Sequence, residues 1–178
     1  MKVISLDPSL RSFGIYYNRD GERSSETISL PNSYDRLDVL AILTYRFAAI
    51  SKEGWDLVIV EAYAYGRANS RSITVQAEIG GLVRGLFGVR KVPIIEVPIG
   101  VWKSVTGIRE KKGTATHKSD YLNAVHKLFG ERFTTTDEAD AMMIYQTVKT
   151  CGMKPATIAG AVKIRQRLED LKIKAEEL

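Results

Sequence analysis

The segment Asp56-Leu57-Val58-Ile59-Val60 is apolar without interruption after its first residue and stops at Glu61. A short run of this kind, rich in β-branched residues, is typical of a parallel strand covered on both faces. Covering both faces takes helices on either side, so the chain is expected to be α/β. A carboxylate that closes such a strand is costly to bury unless it is paired or bound to a cation. The start of the chain repeats the arrangement. Lys2 to Leu6 is β-prone and ends at Asp7-Pro8, where proline removes a backbone donor and closes the strand.

The other elements fit around these two. Ser12 to Asn18 carries Phe13, Ile15, Tyr16 and Tyr17 and reads as a second strand. Arg19-Asp20-Gly21 is a hairpin turn signal, and Arg23 to Leu30 returns as a third strand. A helix is expected to open at Pro31-Asn32-Ser33, with Leu37, Leu40, Leu43, Phe47 and Ile50 on one apolar face and Gly54 at its end. A second helix over Ser72 to Phe87 contains Ala77, Gly80, Gly81 and Gly85 and should pack closely on the sheet. Val92 to Val97 reads as a fifth strand. A mixed segment follows, then helices over Lys118 to Phe129 and Thr136 to Thr150. Pro155 breaks the chain, and Ala156 to Leu178 reads as a terminal helix with Ala161, Ile164, Leu168 and Leu171 on one side. The expected architecture is one mixed five-stranded sheet flanked by helices over residues 1–154, with a C-terminal helical extension over 155–178.

Composition narrows the function. Hydrophobic residues are 44% and charged residues 26%, ordinary for a soluble globular chain. No apolar run approaches the roughly 20 residues that span a bilayer. The opening Met1-Lys2-Val3-Ile4-Ser5-Leu6-Asp7 meets an acid too early for a secretion signal, so a cytoplasmic location without a membrane partner is expected. The single cysteine, Cys151, excludes an internal disulfide, and His117 and His126 do not stand at zinc-ligand spacing from it. Cys151 reads as a plain helix residue. The net charge of +5 favours a polyanionic partner. Its distribution says more than its sum. Lys103, Arg109, Lys111, Lys112, Lys118 and Lys127 stand against Glu110 and Asp120 in one stretch. A second basic cluster, Lys163, Arg165, Arg167, Lys172 and Lys174, is diluted by Glu169 and Asp170.

Four acids carry the chemical reading. Asp7 and Glu61 end strands, and Asp137 and Asp140 lie one helical turn apart, so both project from one face. Asp7 before Pro8 also suits a turn, and Asp137 after Thr134-Thr135-Thr136 suits a helix N-terminus. Glu138 reads as a solvated or capping residue. Asp140 between Ala139 and Ala141 is harder to explain structurally, because small neighbours let that helix press onto the sheet. If the strand ends are adjacent, the four negative charges repel one another, and hard divalent cations relieve them. Magnesium suits a few carboxylates plus water and phosphate oxygens.

The chain also resembles a known family. VISLDPSLRSFG is similar to the opening strand motif of RuvC-type Holliday junction resolvases, and VIVEAYAYG to their second-acid strand and loop. KSVTG with the Lys118 segment resembles their basic region, and DEADAMMIY their terminal acidic helix. The resemblance spans about residues 1–150. It implies a ribonuclease H-like fold, with Asp7, Glu61, Asp137 and Asp140 as catalytic ligands of two Mg2+ ions, for which Mn2+ can substitute. It further implies Lys103 and Lys118 near the scissile phosphate, with Lys118 assisting catalysis. A homodimer acting on four-way DNA junctions by paired symmetric nicks would follow. Tyr63 or Tyr65 would stack on a base, and Arg67 and Arg71 would touch phosphates; packing and solvated loop charge remain the alternatives for these four. Trp102 reads as core. Ser9 replaces a usual glycine, Phe13 a small residue, and Glu110-Lys111-Lys112-Gly113 lengthens the basic loop. These departures fit a divergent branch, such as a bacteriophage one. Rival readings are a nuclease of the same superfamily acting on flaps, other branched DNA or RNA–DNA hybrids, and a non-catalytic nucleic-acid-binding module. An actin-like ATPase lobe is disfavoured, because such enzymes need two lobes and no glycine-rich phosphate loop is visible.

Overall fold

Five strands make one sheet in the order β3-β2-β1-β4-β5, with β1 spanning Lys2–Asp7, β2 Ser12–Arg19, β3 Glu22–Ser29, β4 Leu57–Ala62 and β5 Ile94–Pro98. The computed structural model describes residues 1–9, 11–62, 70–105 and 118–151, and of residues 70–73, 75 and 76 the backbone alone. β1 runs antiparallel to β2 and parallel to β4; β3 is antiparallel to β2, and β5 parallel to β4. The mixed five-stranded sheet expected from the sequence is therefore present. The β2–β3 hairpin turns at Asp20 and Gly21, both at positive φ (58° and 101°), a conformation that favours glycine.

Side-chain alternation divides the sheet into two faces. Ile4, Leu6, Phe13, Ile15, Tyr17, Val58 and Val60 point to one core, covered by α1 (Arg36–Ile50) and α2 (Ser70–Val89). Val3, Tyr16, Ile59, Ile95 and Val97 point to the other, covered by α3 (Ile99–Val105), α4 (Lys118–Phe129) and α5 (Thr136–Cys151). Cys151 ends α5 as an exposed free thiol.

Several elements depart from the sequence expectation. α1 begins later than Pro31-Asn32-Ser33. Asp35 caps it, accepting from the Asp38 amide, while the Asp38 side chain accepts from the Asp35 amide. The residues before it form a turn held by Arg11, whose guanidinium donates to the carbonyls of Pro31 (2.7 Å) and Tyr34 (2.9 Å). The buried stripe of α1 is Val39, Leu43, Phe47 and Ile50, and Leu37 is 74% exposed. At about 100° per residue, Leu37 lies about 160° round the helix from Val39. α2 packs through Ile79, Val83 and Phe87, at i, i+4 and i+8. Gly81 and Gly85 are not the contact, since a Cβ added at either would meet nothing within 4 Å, whereas Gly80 is buried. α3 lies in the segment read as mixed. The C-terminal helix expected over 156–178 lies outside the described residues.

α5 is the most enclosed helix. Residues 138, 139, 141–145 and 147 are buried, so it rests between the sheet and the other helices of its layer. Ala139 and Ala141 are fully buried, as expected of small residues on a helix pressed onto a sheet. The closest approach is at Gly14 on β2, where an added Cβ would run into the backbone carbonyl of Asp137.

Candidate active site

Asp7 lies on the same face of β1 as Val3, and Glu61 on the same face of β4 as Ile59, so alternation aims both carboxylates at the α5 layer. The parallel register pairs Leu6 with Val60. One step further along, Asp7 and Glu61 become neighbours on strands about 4.8 Å apart. On its other side Asp7 pairs with Gly14. The first turn of α5 lies against that glycine and brings Asp137 and Asp140 over the same strand ends. All four acids singled out in the sequence thus share one corner of the fold.

Their charges act on one another. The Asp7 carboxyl is pushed well above its ordinary 3.8, first by burial and then by the negative charges of Glu61, Asp140 and Asp137. Asp140 is raised to about 6, chiefly by burial; Glu61 and Asp137 add to the shift, and the Tyr121 hydroxyl and Lys103 oppose it. Glu61 is raised by burial against the opposing pull of the Trp102 indole and Lys103. Lys103 is thus a cation that Asp7, Glu61 and Asp140 all feel, and its Nζ stands 5.2 Å from the Trp102 ring centroid.

Three of the acids hold a donor of their own. Ser12 Oγ donates to Asp137 Oδ2 at 2.6 Å, Trp102 Nε1 donates to Glu61 Oε2 at 2.9 Å, and the Tyr121 hydroxyl donates to Asp140 Oδ1. The carboxylates are gathered but not converged: among the described residues no three His, Cys, Asp or Glu side chains stand ready to enclose a metal ion. Mutual repulsion and these separate donors account for the spread. The donor set still fits a hard divalent cation, being all oxygen, strongly anionic and opposed by Lys103.

The sequence reading missed Ser12 and Tyr121 and placed Trp102 in the core without its polar role. Trp102 is indeed buried, yet its N–H orients Glu61. A buried indole usually finds a partner, which was the available signal. For Ser12 and Tyr121 the signal was absent, since their contacts span distant parts of the chain. Glu138 is a correction. It caps α5 but is not solvated: it is 7% exposed and accepts hydrogen bonds from β3. Lys118 stands exposed at the first residue of α4 and is not among the principal charges acting on Asp7, Glu61 or Asp140. Tyr63, Tyr65 and Arg67, and the side chain of Arg71, lie outside the described residues.

This mixed five-stranded sheet, flanked by helices on both faces and with acids at its strand ends, defines a ribonuclease H-like fold. The chain is similar to RuvC of Thermus thermophilus in complex with a Holliday junction substrate, with a TM-score of 0.64, 14% identity, and coverage of 85% of this chain and 96% of that one. A second structure of Thermus thermophilus RuvC gives a TM-score of 0.59 at 16% identity, covering 85% and 97%. At these identities the likeness is one of fold. No family model matches the sequence, and no curated protein matches it. Among the described residues no helix is long and apolar enough to cross a membrane.

Proposed function

We propose that the chain is a metal-dependent DNA endonuclease that resolves four-way junctions by paired nicks. The observation that carries the reading is the gathering of Asp7, Glu61, Asp137 and Asp140 at one corner of a ribonuclease H-like sheet, where burial, and then the charges of the other three, raise the Asp7 carboxyl. Likeness to a RuvC bound to a Holliday junction substrate supports the choice of DNA. Fold alone does not assign function, so the site carries the argument.

Asp7, Glu61, Asp137 and Asp140 would hold two Mg2+ ions, or Mn2+, which when bound activate water and neutralise charge on the leaving 3′-oxygen. The chain's own part is to fix the acids. Ser12, Trp102 and Tyr121 each hold one carboxylate oxygen. Lys103, whose charge acts on Asp7, Glu61 and Asp140, would draw a phosphate toward them. Lys118 would assist catalysis, and Tyr63, Tyr65, Arg67 and Arg71 would contact DNA. A homodimer would present two sites to a two-fold junction.

The deciding experiment offers labelled four-way junctions, flaps and RNA–DNA hybrids to the chain with Mg2+, and maps the nicks. Symmetric paired nicks in the junction are expected. Efficient cutting of hybrids with the junction left intact would reject the substrate. Asp7→Asn should abolish cleavage and leave junction binding nearly intact; unchanged cleavage removes Asp7 from the site.

A further inference from the structure

Glu138 sits between Asp137 and Asp140 in sequence but turns away from them. Its carboxylate is buried and saturated by neutral donors from two elements. Oε1 accepts from Thr134 Oγ1 at 2.9 Å and Thr27 Oγ1 at 3.3 Å. Oε2 accepts from the Thr134 amide at 3.1 Å and Ser25 Oγ at 3.2 Å. The Thr135 hydroxyl accepts from the Glu138 amide at 3.1 Å and meets Thr27 Oγ1 at 2.5 Å. Ser25 and Thr27 belong to β3, the strand at the sheet edge, and Thr134 and Thr135 to the entry of α5.

An ordinary helix cap needs no buried carboxylate. What this one adds is capacity: two oxygens that accept four bonds, spread over a strand and a helix entry. Those bonds restrain α5 against rolling about its axis. Asp137 and Asp140 ride on the same turn, so any roll moves both in step. Gly14 permits the close approach of that turn to β2.

We infer that Glu138 is a positioning residue, which anchors the first turn of α5 to β3 and thereby fixes Asp137 and Asp140 for divalent-ion binding. The inference rests on the nuclease reading of the four acids. Glu138→Gln keeps the bulk but puts an amide NH2 where donors already point. The full-length variant should stay folded, bind a four-way junction in the absence of metal as the wild type does, and bind Mn2+ about 10-fold or more weakly in calorimetric titration. Its cleavage should recover at high Mn2+, separating lost ion affinity from lost fold. The double variant Ser25→Ala/Thr27→Val, which spares Glu138, should weaken Mn2+ binding in the same direction by less.

Unchanged Mn2+ affinity in folded Glu138→Gln, beside normal binding by the wild type, overturns the inference and leaves the nuclease reading standing. A Glu138→Gln chain that does not fold passes the decision to the double variant, whose unchanged affinity overturns it equally. Failure of the wild type to bind Mn2+ more tightly than Asp7→Asn overturns both.

Discussion

Asp140→Asn should make the ion-free protein more stable at neutral pH. The Asp140 carboxyl stands at about 6 in the fold against 3.8 outside it. Between those values the folded chain binds more protons than the unfolded one, so stability falls as pH rises through the window and stays lower above it. At about 1.4 kcal/mol per pH unit the full effect is about 3 kcal/mol. Asparagine carries no such charge, and its side-chain oxygen can still accept from Tyr121. Because the acids share their repulsion, one substitution recovers part of the effect, about 1–2 kcal/mol, or about 2–8 °C in melting temperature for a chain of this size. Denaturant titrations at about pH 4.5 and about pH 7.5, with chelator present, measure it. The variant should exceed the wild type at the higher pH and approach it at the lower. Saturating Mg2+ should reverse the order, since a ligand at 100 times its Kd adds about 2.7 kcal/mol to the form that binds it. A variant no more stable than the wild type at the higher pH refutes the argument that burial, aided by repulsion, destabilises the ionised Asp140.

Gly14→Ala should destabilise the fold by about 1–3 kcal/mol and slow single-turnover cleavage about 100-fold, because the new methyl meets the Asp137 carbonyl; a wild-type rate would show that α5 yields freely. Ser5 Oγ is fully buried and finds no hydrogen-bond partner among the described residues, so Ser5→Ala should raise stability in urea by about 1 kcal/mol, and a loss would contradict that account. Trp102→Phe removes the indole that lowers the Glu61 carboxyl. The acid limb of its pH–rate profile should move to higher pH, and an unmoved limb would deny the indole that role.

Much of this arrangement was legible beforehand, for local reasons. β1 and β4 announce themselves by β-branched runs that stop at acids, and the i, i+3 spacing of Asp137 and Asp140 sets them on one face. The expected ends of α4 match the observed helix, because an amphipathic stretch carries its own boundaries. What escaped was non-local. Leu37 was placed in the core on its hydrophobicity, while Val39 took the stripe shared with Leu43 and Phe47. The start of α1 was obscured by a cap built from two aspartates after a proline turn. Glu138 looked like a surface acid because its partners, Ser25 and Thr27, lie more than 100 residues away. Gly81 and Gly85 of α2 suggested a close approach that they do not make, while Gly14 of β2 does.

The near-complete enclosure of α5 has a consequence for when this chemistry can exist. A nascent chain released only as far as β5 already holds every strand, yet carries half of the acid set. The remaining half arrives with α5, so the acid set is complete only once that helix has packed onto the sheet. Local unfolding of that one helix would part Asp137 and Asp140 from the strand ends and open the second core in the same event.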